Sequence, residues 1–133
     1  MSQEPDYFER KAPEIICFGE ALLDRLGPLG GDPKNDKPVE DCLGGAPANV
    51  ACGLARLGTH SAFVGRLGND EIGKRFQNLM NNRSLNLDGL QIDENRPTRI
   101  VLVHRNLDGE RSFQDFEPNC ETIFADQEIS LTE

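Results

Sequence analysis

The chain has 133 residues, of which 37% are hydrophobic, and its 23 acidic and 14 basic residues give a net charge of −9. This length and composition predict one globular domain or part of one. The acidic balance and the lack of a Lys or Arg run argue against nucleic acid or an anionic membrane as partner, because both bind clustered cations. The longest apolar runs, such as Ile15–Phe18, are far shorter than the roughly 20 residues that span a bilayer.

Residues 1–13 are acidic and contain no apolar segment, so they fit neither a secretory signal nor a transit peptide. We interpret them as a disordered leader of a cytoplasmic protein, ahead of an ordered region over residues 14–133. The four cysteines have neither C-x-x-C spacing nor the density of a disulfide-rich domain. We therefore predict buried free thiols and no metal site.

The first predicted element is a strand at Ile15–Phe18, a continuous apolar run typical of a strand buried on both faces of a parallel sheet. Residues 27–38 are rich in glycine, proline and charge, and they predict a surface loop. Gly44 and Gly45 then precede a mainly apolar helix over residues 48–57.

A second buried strand is predicted over residues 61–65. An amphipathic helix follows from Glu71 to about Asn82, with Asp70 as its cap. Alternation of strands and helices predicts the α/β class, with a mostly parallel sheet flanked by helices.

A different pattern follows this region. Residues 99–105 and 111–116 predict two strands of an antiparallel hairpin, because Asp108 and Gly109 between them favour a tight turn. We expect this ribbon to lie beside the parallel sheet.

Residues 68–74 have the glycine and lysine spacing of a phosphate-binding P-loop, but Arg75 stands where a hydroxyl should ligate Mg²⁺. Asp70 and Glu71 would also place two carboxylates beside the phosphates, which is electrostatically unfavourable. We therefore predict no nucleotide site at this turn.

The turn over residues 44–49 is a better candidate for a binding site. Its two glycines allow a ligand to approach the backbone, and the following helix directs free N–H groups toward a hydroxylated or anionic ligand. Asn49 could cap that helix or bind a polyol. Asp24 lies just past the first strand, where the chain leaves the carboxyl end of the sheet. It could accept hydrogen bonds from sugar hydroxyls, form an ion pair with Arg25 or be a solvated turn residue.

The segment from Gly44 to Ala51 (Gly-Gly-Ala-Pro-Ala-Asn-Val-Ala), with Gly58 and Gly68 at fixed spacing, resembles the N-terminal signature of the ribokinase (PfkB) family of carbohydrate kinases. Residues 18–24 are similar to the first strand and substrate loop of its fructokinase-like members. The resemblance implies a ribokinase-like fold, a mostly parallel sheet flanked by helices, with lid strands near residues 22–42 and 98–117.

The resemblance also implies site residues. Asp24, Gly44, Gly45 and Asn49 would bind the sugar, and two lid residues, Val101 and Val103, would lie against it. Fructokinases commonly carry an arginine within a segment that matches residues 113–119. This chain has none there, which weakens fructose itself as the substrate.

The implied activity is transfer of the ATP γ-phosphoryl group to a hydroxyl of a fructose-like or related sugar, with Mg²⁺ as the metal. Members of the family are much longer than this chain, and their ATP site and catalytic base lie in the part that follows. We therefore expect no catalytic residue here and an inactive isolated chain, with a sugar as its small-molecule partner and a homodimer formed through the lid. The alternative is a non-catalytic fructokinase-like protein with a binding or assembly role.

Overall fold

Two sheets and two α-helices form the part of the chain that the computed structural model describes, residues 11–117 and 123–131. Most of the predicted leader, and Cys120, lie outside these residues. In chain order the elements are β1 (Ile15–Phe18), β2 (Leu22–Leu29), β3 (Glu40–Gly44), α1 (Ala46–Arg56), β4 (Ser61–Gly68), α2 (Glu71–Asn82), β5 (Leu90–Asp93), β6 (Ile100–Arg105), β7 (Arg111–Glu117) and a 3-10 helix (Ala125–Gln127).

The first sheet is parallel and has the strand order β1-β4-β5. Its inner face packs against both α-helices, and Phe63 of β4 meets Phe76 and Met80 of α2 in a fully buried cluster. The predicted α/β class is confirmed. No helix in the described residues is long and apolar enough to cross a bilayer.

The prediction that β1 is buried on both faces is wrong. Cys17 points into the core, but Ile16 is 61% exposed and Phe18 is 65% exposed. Side chains alternate along a strand, and none of the described elements covers the second face of β1. In β4, by contrast, Ala62 and Phe63 are both buried.

Helix α1 begins two residues earlier than predicted, at Ala46. Pro47 lies in its first turn, where a missing N–H costs nothing because that group has no partner within the helix. The N-cap is Gly45, with φ of +96° and no side-chain cap bond. The interpretation of Asn49 as a capping residue is therefore wrong, since it follows the cap by four positions.

Helix α2 has the bounds that its pattern predicts. Asp70 caps it as predicted, because Oδ1 of Asp70 accepts a hydrogen bond from the Gly73 N–H at 2.8 Å. The bond gives a partner to an N–H of the first helical turn, which is the usual role of an aspartate cap.

The second sheet has the order β3-β2-β6-β7. Strands β6 and β7 form the predicted antiparallel hairpin. Strand β2 pairs with β3 in antiparallel and with β6 in parallel orientation. It extends to Leu29, so residues 27–29 are strand and not loop. The register between β2 and β6 shifts after Leu26, and Leu29 then pairs with Arg105. This pairing explains why the strand is longer than predicted.

Three of the cysteines lie in described segments, and all three are free thiols, but the prediction that they are buried is wrong for Cys42. Cys17 and Cys52 are buried, and Cys42 is half-buried in β3. Burial raises the pKa of the Cys42 thiol, and the nearby Glu40 carboxylate acts in the same direction.

Candidate functional site

Asp24 lies in the middle of the four-stranded sheet. It is paired with Cys42 on β3 and with Val101 on β6, and Val101 is paired in turn with Phe116 on β7. Directly paired residues project from the same side of a sheet. These four side chains therefore share one surface, which we call the Asp24 face.

Two glycines make room for Asp24 and for the chain beside it. A Cβ on Gly44 would lie 2.8 Å from Oδ2 of Asp24, so the carboxylate packs directly against this glycine. At Gly45 a Cβ would lie 2.7 Å from the Glu20 carbonyl oxygen, and φ is +96°. Gly45 therefore requires glycine for both close approach and conformation, whereas a side chain at Gly44 would have to displace the Asp24 carboxylate. The structure brings Asp24 and Gly44 into contact, which the sequence pattern alone could not show.

The Asp24 carboxylate is half-buried and has no hydrogen-bond or ion-pair partner within the described part of the chain. Burial raises its pKa, and the positive charge of Arg111 opposes the shift. The alternative of an ion pair with Arg25 is wrong. Arg25 binds Asp41 and Glu117 instead, on the opposite face of the sheet.

Asn49 is exposed in the first turn of α1. It lines a cleft of about 210 Å³ between the two α-helices, together with Arg56, Phe76 and Arg83. Its side chain forms no hydrogen bond with Asp24. The structure therefore leaves Asn49 accessible to a ligand but does not join it to the Asp24 carboxylate.

The two predicted lid residues, Val101 and Val103, are 6% and 1% exposed. They pack with Leu26 as the apolar floor of the Asp24 face. Their partners across the hairpin, Phe116 and Phe113, are 45% and 76% exposed. The aromatic side chains, which the sequence analysis did not single out, therefore offer more surface to a ligand than the valines do.

The P-loop-like turn is filled by its own carboxylate. Besides capping α2, Asp70 accepts hydrogen bonds from the N–H and the hydroxyl of Thr98, at 2.7 and 2.9 Å. The Thr98 hydroxyl also accepts from the Gly68 N–H. The backbone donors that a phosphate would need are thus taken by a group of the same charge, and ATP does not fit this turn. Among the described residues, no three His, Cys, Asp or Glu side chains are grouped to hold a metal ion.

Comparison with known proteins points to the same family as the glycine pattern of the sequence. Residues 12–130 match the profile of the pfkB family carbohydrate kinases. "Probable fructokinase-6, chloroplastic" of Arabidopsis thaliana is 36% identical over 124 residues, which are 92% of this chain and 32% of that protein.

Solved structures show the same relationship. A fructokinase from Xylella fastidiosa with bound ATP has a TM-score of 0.67 and 40% identity, over 84% of this chain and 31% of that one. A fructokinase from Vibrio cholerae in its fructose, ADP and calcium ion bound form has a TM-score of 0.61 and 32% identity, over 85% of this chain and 33% of that one.

The chain thus spans about a third of the length of these relatives. Within that third, its two sheets and the helices on them have the ribokinase-like α/β fold of the fructokinases. The profile match includes β1 at one end and the 3-10 helix at the other. The chain therefore belongs to the pfkB family of carbohydrate kinases.

Proposed function

We propose that this chain is the sugar-binding N-terminal part of an ATP-dependent kinase that phosphorylates a hydroxyl of a fructose-like or related sugar. The single observation that carries the proposal is the half-buried Asp24 carboxylate, which lies against Gly44 with no partner in the described residues. Such a group is expensive to bury unless a ligand supplies hydrogen-bond donors. The fructose-bound relative supports a sugar as that ligand.

In this proposal the ionised Asp24 accepts hydrogen bonds from two sugar hydroxyls. A hydrogen bond to a charged group contributes about 1.5–3 kcal/mol, which exceeds the contribution of a neutral pair. Gly44 and Gly45 let the sugar ring approach the backbone, and Asn49 binds a further hydroxyl. Val101 and Val103 support the apolar side of the ring from below.

We assign β2, β3, β6 and β7 as the lid, over the predicted ranges 22–42 and 98–117. Closing such a sheet over the sugar would exclude water and strengthen the bonds to Asp24. The exposed Phe113 supports a homodimer formed through the lid, since an aromatic side chain with 76% of its surface exposed favours contact with a partner.

ATP is the proposed phosphoryl donor because a relative binds ATP. Mg²⁺ is the proposed metal because phosphoryl transfer from ATP uses it. When bound, the nucleotide supplies the phosphoryl group that the sugar hydroxyl accepts. No residue of this chain is assigned to hold it, because Asp70 occupies the phosphate-like turn over residues 68–74. We likewise assign no catalytic base to this chain and expect residues 1–133 alone to be inactive. The cytoplasmic location stays a prediction.

The test is a coupled ATP-consumption assay on the full-length protein and on residues 1–133, with fructose, ribose and 2-keto-3-deoxygluconate. We expect sugar-dependent ADP release from the full-length protein only. Release by residues 1–133 would show that catalytic residues lie within them. Sugar binding by the full-length protein without ADP release would instead favour the non-catalytic binding or assembly role.

A further inference from the structure

Arg99, the residue directly before β6, binds a carboxylate far along the chain with two parallel hydrogen bonds. Its Nε donates to Oδ2 of Asp126 and its Nη2 to Oδ1, each at 2.9 Å. Both side chains are withdrawn from solvent, with 19% of Arg99 and 5% of Asp126 exposed. A planar guanidinium that matches both carboxylate oxygens fixes the orientation of the two groups.

The same guanidinium lies over two neighbouring aromatic rings, whose centroids are 6.0 Å apart. It is 5.1 Å from the ring centroid of Phe116 and 4.8 Å from that of Phe124. Phe116 belongs to β7, and Phe124 directly precedes the 3-10 helix that contains Asp126. Ion pairing and cation–π contact therefore join the last strand of the four-stranded sheet to residues 123–127. We call this group, Arg99 with Phe116, Phe124 and Asp126, the Arg99 clamp.

Backbone hydrogen bonds bring the start of β2 to the same place. The Leu23 N–H donates to the Arg99 carbonyl at 3.0 Å, and the Ala125 N–H donates to the Pro97 carbonyl at 3.0 Å. Leu23 directly precedes Asp24 on β2. Arg99 therefore lies two positions before Val101, the partner of Asp24 on β6, and Phe116 of the clamp is paired with Val101 in the same row as Asp24.

We propose that Arg99 is a positioning residue for the sugar site, because its clamp holds the four-stranded sheet, and Asp24 with it, at a fixed orientation to residues 123–127. The inference rests on the proposed function, since it concerns how Asp24 meets the sugar. Arg99 acts through Asp24 and not by touching the ligand. Lysine would keep the charge but could form neither the paired hydrogen bonds nor the planar stacking, so the role is specific to arginine.

The test uses the full-length protein with R99K, and R25K as a matched control. Arg25 also binds two carboxylates in the same sheet, but on the face opposite Asp24. R99K should raise the sugar KM about fivefold or more and leave kcat and the ATP KM within a factor of about two. R25K should leave both KM values within that factor. Amide exchange at residues 123–127 should accelerate about tenfold in R99K only.

Faster exchange at residues 123–127 with an unchanged sugar KM would overturn the proposal, because the clamp would then be structural only. An equal rise in both KM values, or the same effect in R25K, would also overturn it as a general loosening of the sheet. Unchanged exchange and an unchanged sugar KM in an active R99K enzyme would reject the clamp itself. A parent protein with no sugar-dependent ADP release would instead reject the proposed function, and the positioning role with it.

Discussion

The carboxylate of Asp24 packs so closely against Gly44 that a methyl group at residue 44 would lie 2.8 Å from Oδ2. The two residues lie 20 positions apart in the sequence and meet because β2 and β3 are antiparallel neighbours. Gly44 therefore leaves the space in which the carboxylate lies. In the proposed function, Gly44 therefore contributes to the sugar site as well as to the turn before α1.

Gly44→Ala should displace the Asp24 carboxylate and weaken sugar binding. A Cβ at 2.8 Å forces the carboxylate to move, so we expect kcat/KM for the sugar to fall about tenfold with little loss of stability. Gly53→Ala is the control, since a Cβ there meets nothing within 4 Å. It should increase the free energy of unfolding by about 0.5–1 kcal/mol through helix propensity and leave the kinetics unchanged. Equal kinetics for both variants would contradict the steric argument.

Asp70→Ala should destabilise the fold, because this carboxylate caps α2 and binds Thr98. Loss of a cap costs about 0.5–2 kcal/mol, and leaving the N–H of buried Thr98 unpaired adds about 1–3 kcal/mol. We expect a total loss of about 2–4 kcal/mol, measured by denaturant unfolding. The neighbouring exposed residue provides the control, and Glu71→Ala should cost less than about 1 kcal/mol. Equal losses in the free energy of unfolding for the two variants would show that the hydrogen bonds of Asp70 do not stabilise the fold.

Asp93 predicts a specific dependence of stability on pH. Burial of this residue, which is 1% exposed, would raise its pKa. The N–H groups of Asn95 and Arg96 and the guanidinium groups of Arg96 and Arg66 more than offset that effect, and the pKa falls to about 2. A carboxyl with a lowered folded-state pKa stabilises the fold above its unfolded pKa near 4 and loses that contribution as the pH falls toward 2.

The contribution of the ionised Asp93 is about 2 kcal/mol at neutral pH, because folding lowers its pKa to about 2. The measurement compares the free energies of unfolding of the parent and of Asp93→Asn from pH 6 to pH 2. The difference between them should shrink by about 2 kcal/mol as the pH falls through this window. A difference that stays constant with pH would mean that the Asp93 pKa is not lowered.

Much of the fold could be predicted from the sequence, because it depends on interactions between residues that are close together in the chain. The Asp70 cap, the apolar period of α2 and the Asp108-Gly109 turn each act within a few residues, and these elements have the predicted type. The predictions were wrong where burial depends on packing between residues that are far apart in the sequence. Ile16 and Phe18 look like core residues in the sequence, yet their burial depends on which elements cover β1.

The candidate site was predictable only in part, for the same reason. A glycine pair before a helix indicates a binding turn, but its contact with Asp24 follows from strand pairing. The clamp of Arg99 on Asp126 joins residues 27 positions apart, and no local pattern indicates it. The place of Phe116 beside Val101 depends on an irregularity in the register of β6 and β7, which alternation along one strand cannot show.

Steady-state kinetics of Asp24→Asn in the full-length protein test whether Asp24 binds the sugar. Asp115→Asn is the control, because Asp115 pairs with Lys34 on the opposite face of the same sheet. Loss of a charged acceptor should raise the sugar KM and lower kcat, with at least about tenfold loss in kcat/KM. The ATP KM should stay within a factor of about two in both variants. If the sugar KM and kcat of Asp24→Asn both stay within a factor of about two of the parent, Asp24 does not bind the sugar.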